Sequence, residues 1–272
     1  MKKRIISGII FAIIGIAVLA LNNPIVDTIV ITLLALIGMY EYYHAFKKTN
    51  IKPISWVGFI SCLGLLFYGN AILPTSTKIM SLKIFLPIAI IGVFCYIVLT
   101  NLKRTIVDIA VTFFGILYVP LLFVFLKLIL AMENGRYLFG YVIMAAFVSD
   151  TAAYFIGSKF GKRKLCPDIS PKKSVEGAIA GVVAVVIAFG IYTVIINNFC
   201  GMNLPILLML FAGVISSIAG QFGDLSASAI KRYCDVKDFG KLIPGHGGIL
   251  DRFDSILFVA PIIYAFLNIY IL

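Results

Sequence analysis

The stretch LIPGHGGILDRFDSILFVAPIIYAFLNIYIL, residues 242–272, joins two unlike halves. From Ser255 to Leu272 there is no charged residue, so eighteen residues run unbroken at the end of the chain. A helix crossing the roughly 30 Å hydrocarbon core needs about 20 such residues. The fourteen residues 242–255 are the opposite: a Pro, three Gly, one of only two His in the chain, an Arg and two Asp. A greasy helix that begins in dense polar chemistry reads as a membrane span with a functional group of residues at its mouth.

The rest of the 272 residues extends that reading. The chain is 61% hydrophobic and 13% charged, where soluble domains are closer to a quarter charged. The apolar residues come in blocks that predict nine helices: about 5–22, 25–46, 54–73, 82–100, 105–131, 137–158, 176–198, 204–230 and 250–272. The expected fold is therefore an all-α polytopic integral membrane protein of about nine transmembrane helices. The basic head and apolar run of residues 1–23 resemble a signal peptide, but the run is long and further spans follow at once, so a first membrane helix is the better reading. A single transmembrane domain, 1–272, is expected, with helices 1–5 (about 1–135) as scaffold and helices 6–9 with their cytoplasmic loops (about 136–272) carrying the site. The cysteines at 62, 95, 166, 200 and 234 form no C-x-x-C pair, which leaves neither a disulfide framework nor a zinc site.

Placing the N-terminus in the cytoplasm puts nineteen Lys and Arg inside and three outside, Lys78, Lys83 and Arg136, with Lys127 in the fifth span snorkelling outward. That bias predicts a multi-pass protein of the cell inner (plasma) membrane. It also accounts for the net charge of +11 through cytoplasmic loops and anionic membrane lipids rather than nucleic acid, for which no aromatic-basic module is present. The acids obey no such rule, yet ten of twelve also fall inside: Glu41, Asp108, Asp150, Asp168, Glu176, Asp224, Asp235, Asp238, Asp251 and Asp254. An acid at mid-membrane costs roughly 2.5–3.5 kcal/mol on the gentler scale. Their clustering at one interface suits a polar cavity open to the cytoplasm.

Two constellations stand out. In SDTAAYFIGSKFGKRKLCPDISPKKSVEG, residues 149–177, Asp150 and Tyr154 share a helix face. Ser170, Lys172, Lys173, Ser174 and Glu176 then lead into a helix start, where hydroxyls, backbone N–H groups and mobile ammoniums can hold phosphate. The run GSKFGK, residues 157–162, has one residue too few between its glycines for a P-loop. The second constellation runs from GDLSASAIKR, 223–232, to Asp254. Asp224 ends the eighth helix; Asp251 and Asp254, three apart, start the ninth on one face. Three hard carboxylates beside Lys231, Arg232, Lys237, Lys241 and Arg252 point to Mg²⁺, a second cation being an open choice. The PGHGG turn can bring backbone N–H groups to phosphate, and His246 either donates to it or shapes the turn.

The stretch SAIKRYCDVKDFGKLIPGHGGILDRFD, Ser228 to Asp254, resembles the signature of the phosphatidate cytidylyltransferases (CDP-diacylglycerol synthases) with no departure. SPKKSVEG is similar too, with Ser174 where the family usually has Thr, as are the Asp150 to Gly161 segment, with Ala152 where Gly is common, and the EYY at 41–43. The resemblance implies a CTP:phosphatidate cytidylyltransferase, a nucleotidyltransferase making CDP-diacylglycerol and pyrophosphate for phospholipid biosynthesis at an active site facing the cytoplasm, and working as a homodimer. It implies Asp224, Asp251 and Asp254 as metal ligands. Lys231, Arg232, Lys237 and Arg252 would hold phosphates or pin the carboxylates, with Asp238 and His246 completing the catalytic set. Ser228, Gly247, Gly248 and the 150–176 group would take substrate. Two alternatives remain: a CTP-dependent polyprenol or phytol kinase, which would release CDP, and a cation transporter, which would want its acids at mid-membrane.

Overall fold

The computed structural model describes residues 2–68, 91, 92, 94–96, 98 and 104–271. Its helices are α1 (Lys2–Leu21), α2 (Pro24–Ala45), α3 (Ser55–Tyr68), α4 (Ile106–Tyr118), α5 (Pro120–Leu130), α6 (Gly135–Phe160), α7 (Val175–Cys200), α8 (Ile206–Tyr233) and α9 (Leu250–Ile271). Among the described residues, six helices are long and apolar enough to cross a membrane: Pro24–Lys48, Ile106–Leu130, Gly135–Phe160, Val175–Cys200, Ile206–Tyr233 and Leu250–Tyr270. The chain is thus an all-α polytopic membrane protein. Of the other expected spans, α1 covers the first, the third appears as the shorter apolar helix Ser55–Leu66, and the fourth, about 82–100, lies outside the described residues apart from helical residues 91, 92, 94–96 and 98. The expected span 105–131 is broken at Val119 because Pro120 has no N–H and its ring crowds the preceding turn.

The chain divides into two compact units, residues 1–131 with 234–250, and residues 132–233 with 251–272. In the first, Tyr42 and Tyr43 of α2 are buried and reach α4, their hydroxyls donating to the carbonyls of Val111 (3.3 Å) and Thr112 (3.0 Å). Gly115 makes this possible, since a Cβ there would strike both rings. Asp108 closes a capping box with Thr105 and also accepts the amide of Lys52 at 2.6 Å, so this acid fastens a loop. Lys127 does not snorkel outward: its side chain is buried and donates to the Leu66 carbonyl near the end of α3 at 2.6 Å. A helix end leaves carbonyls without partners, and a buried ammonium satisfies one. Segment 234–250 folds with this unit because Cys234, Phe239, Ile243, Ile249 and Leu250 bury their side chains.

The second unit is built on α6, α7 and α8. Gly157 and Gly177 let α6 and α7 approach closely at one end. Further along, Tyr141 and Thr193 bond at 2.7 Å; the Thr193 hydroxyl donates to the Phe189 carbonyl, so Tyr141 donates to Thr193. Ser149 and Ser217 join α6 to α8 at 3.0 Å, and Gln221 ties α8 to the Ala178 carbonyl of α7 at 3.0 Å. Such small and polar contacts substitute for a hydrophobic driving force that lipid does not supply. The α6–α7 connection, expected as an irregular loop, contains a two-stranded antiparallel hairpin, β1 (Lys164–Cys166) with β2 (Ser170–Ser174).

Candidate active site

The second unit gathers charge where α8, α9, α6 and β2 meet. Gly220 and Gly223 on α8 allow this, for a Cβ on Gly223 would collide with the Asp254 carbonyl and one on Gly220 would press on Val259. Asp224, next in line, pairs with Lys173 of β2 at 2.6 Å and lies 3.5 Å from the Ser228 hydroxyl. About two turns further, Lys231 pairs with Asp251 at 2.8 Å, the two side chains only 13% and 3% exposed. Asp254 is buried, accepts the Ser255 amide at 2.8 Å, and lies within electrostatic reach of Asp224, Lys231 and Asp150. Asp150, exposed on α6, is within reach of Asp224, Lys173 and Arg252. Four aspartates and three cations from distant parts of the sequence therefore share one neighbourhood. Arg232 donates to the Ile169 carbonyl at 3.4 Å, steadying the hairpin.

Other expected residues have different duties. Ser174 is buried and is the N-cap of α7, its hydroxyl accepting the Gly177 amide at 3.2 Å. Glu176 accepts the amides of Lys162 (3.1 Å) and Arg163 (3.2 Å), closing the start of the hairpin. Ser170 and the exposed Lys172 sit on β2. Tyr154 is exposed with its ring edge-on to Phe155.

Lys237, Asp238, His246, Gly247 and Gly248 belong to the first unit. Lys237 and Asp238 are exposed. The PGHGG turn is closed by the amide of Ile243 on the Gly247 carbonyl and that of His246 on the Ile243 carbonyl, both at 2.9 Å. Gly245 and Gly247 have φ of 80° and 87°, which glycine adopts without strain. Ser7 of α1 donates to the Pro244 carbonyl at 3.0 Å and stands 2.8 Å from His246 Nδ1. A hydroxyl has one hydrogen, so Nδ1 carries its own and donates to Ser7. Sequence reasoning missed Ser7, an ordinary residue in an apolar helix. It noted Glu41 as an acid at the end of the second span and as part of the EYY resemblance, and gave it no role. Glu41 is buried, and its two carboxylate oxygens accept the amides of Ile249 (3.1 Å) and Leu250 (2.9 Å).

Among the described residues, no group of three or more His, Cys, Asp or Glu is gathered so as to hold a metal ion; Asp224 and Asp251 face ammonium groups instead. The donor chemistry is nonetheless that of a hard cation, all carboxylate oxygen with no sulfur.

Long apolar helices that bring aspartates and ammoniums into one neighbourhood define a polytopic membrane protein with a charged site. The model of the Cytidylyltransferase family matches residues 2–270, and the chain belongs to that family. It is 33% identical over 279 residues to the phosphatidate cytidylyltransferase of Bacillus subtilis (strain 168), covering 99% of this chain and 98% of that protein. It is 34% identical over 267 residues to the enzymes of the same name from Staphylococcus haemolyticus (strain JCSC1435) and Staphylococcus aureus (strain COL), covering 97% of each chain.

Proposed function

We propose that this protein is a CTP:phosphatidate cytidylyltransferase of the bacterial plasma membrane, its site open to the cytoplasm. The observation that carries the reading is the complete Ser228–Asp254 signature in a chain matched end to end by phosphatidate cytidylyltransferases. In the reaction, a phosphate oxygen of phosphatidate attacks the α-phosphorus of CTP. The new P–O bond forms as the α–β bridging bond breaks, and pyrophosphate leaves with that electron pair. A phosphate monoester has its second pKa near about 6, so the nucleophile is already anionic and needs no strong base.

What remains is charge management. Lys173, Lys231 and Arg252 would hold phosphate oxygens and keep the aspartates oriented. The PGHGG turn would present backbone N–H groups and His246. Asp224, Asp251 and Asp254 would hold Mg²⁺, which when bound screens the two anions and stabilises the leaving pyrophosphate. The family resemblance also suggests a homodimer, which light scattering of the purified protein tests.

Purified protein given labelled CTP, phosphatidate and Mg²⁺ is expected to yield CDP-diacylglycerol and pyrophosphate in equal amounts. Absence of CDP-diacylglycerol overturns the proposal. Release of CDP on adding a polyprenol indicates a lipid kinase instead.

A further inference from the structure

The segment 240–250 contains the signature turn but no regular secondary structure before Leu250. Such a segment keeps one shape only if something holds it. Glu41, on α2, does so at four points. Its Oε1 accepts the amide of Ile249, just before α9, at 3.1 Å and its Oε2 that of Leu250, the first residue of α9, at 2.9 Å. Gly240 and Gly248 also lie directly against the carboxylate: a Cβ on Gly240 would collide with Oε1, and one on Gly248 with both oxygens. Both ends of the segment thus close on one buried acid.

This changes the meaning of Gly248. Its backbone is not in the left-handed region, unlike Gly245 and Gly247, so conformation does not demand glycine there. Space does, because Glu41 fills the place of a Cβ. We propose that Glu41 is the positioning residue of the Gly-His-Gly-Gly turn, and that Gly248 is glycine to admit the Glu41 carboxylate. The catalytic consequence rests on the cytidylyltransferase reading above; the hold on the turn does not. Glu41→Gln removes one of the two acceptors and turns an amide N–H₂ toward a backbone N–H, whereas Glu41→Asp keeps both acceptors and withdraws them by about 1.5 Å, one carbon–carbon bond.

The test has two arms on the full-length protein in micelles. In hydrogen–deuterium exchange, Glu41→Gln is expected to speed exchange of peptides covering 240–250 by roughly 10- to 100-fold, leaving α6–α8 peptides unchanged. Should Glu41→Gln not fold, Glu41→Asp is expected to speed the same peptides to a lesser degree. Wild-type exchange at 240–250 in the folded variant overturns the proposal. In turnover, Gly248→Ala is expected to lower kcat by about 10²-fold, as misplaced reacting groups do. Adding Glu41→Asp, which vacates the space of the new methyl, is expected to restore at least a tenth of wild-type kcat. A double variant no more active than Gly248→Ala overturns the proposal, since a glycine required for substrate would not be rescued by a shorter acid behind it. If the wild type makes no CDP-diacylglycerol, the functional reading falls, while the exchange arm still decides whether Glu41 holds the turn.

Discussion

Asp251→Asn separates two consequences of a single charge. Asp251 and Lys231 meet at 2.8 Å with side chains 3% and 13% exposed, so little water screens them. At an effective dielectric constant of about 20 their attraction at that distance is about 6 kcal/mol, much of it offset by the desolvation of both ions. Removing only the carboxylate strands the ammonium in the same place, which costs about 3–5 kcal/mol. Lys231→Met with Asp251→Asn removes both charges and is expected to recover at least about 2 kcal/mol of that loss. The assay is reversible unfolding in mixed micelles with increasing SDS, alongside CDP-diacylglycerol formation. Stability and activity are expected to part company: the double variant regains stability and stays inactive, because the proposed chemistry uses both groups. A cost below about 1 kcal/mol for Asp251→Asn, or no recovery in the double variant, refutes the buried pair.

Asp224→Asn makes a contrasting case: its pair with Lys173 is 26–29% exposed, so stability is expected to fall by about 1 kcal/mol or less while turnover falls by 10²-fold or more, and near-normal activity at saturating Mg²⁺ would remove Asp224 from the site. Gly177→Ala presses a methyl onto the Ala153 carbonyl, Gly157 and Ser174, and is expected to cost about 1–3 kcal/mol in the same unfolding assay; a neutral result would mean the α6–α7 approach is looser than described. Burial pushes the Cys234 thiol up to about 11, and alkylation needs the thiolate. Maleimide at pH 7.5 is therefore expected to label the partly exposed Cys166 well before the buried Cys234, whose labelling should rise only as pH climbs toward 11; equal rates at pH 7.5 would contradict that burial.

Much of this fold was legible because lipid imposes a simple rule on sequence. Apolar blocks mark helices, and α6 to α9 fall within a few residues of their expected limits. Pro120 carried a local signal for a break, but the hydrophobic block ran straight across it. The aspartate neighbourhood was legible through the spacing of Asp251 and Asp254 and the place of Asp224 in the last third of the helix before them. What spacing could not show is which cation each acid faces. Lys173, fifty-one positions before Asp224, is brought there by a hairpin that no hydrophobic period announces.

Seven of the ten acids that the charge bias assigns to the cytoplasmic side fall into two kinds, separated by the atoms they touch. Asp108, Glu176 and Glu41 accept backbone amides: a helix start and the 52 loop, the hairpin, and the signature turn with the start of α9. Asp150, Asp224 and Asp251 stand among side-chain cations, and Asp254 joins them with Lys231 in reach while one of its oxygens accepts the Ser255 amide. A carboxylate whose oxygens are taken by amides is fixed by the fold and has little capacity left for substrate or metal. One that faces a lysine keeps lone pairs, and its partner can turn to a phosphate when one arrives. Clustering of acids at a membrane face is therefore weak guidance to a site by itself; the identity of the donor opposite each acid decides. By that standard Glu41 and Glu176 shape the machinery, and the four aspartates are the groups that can respond to an incoming anion or metal ion.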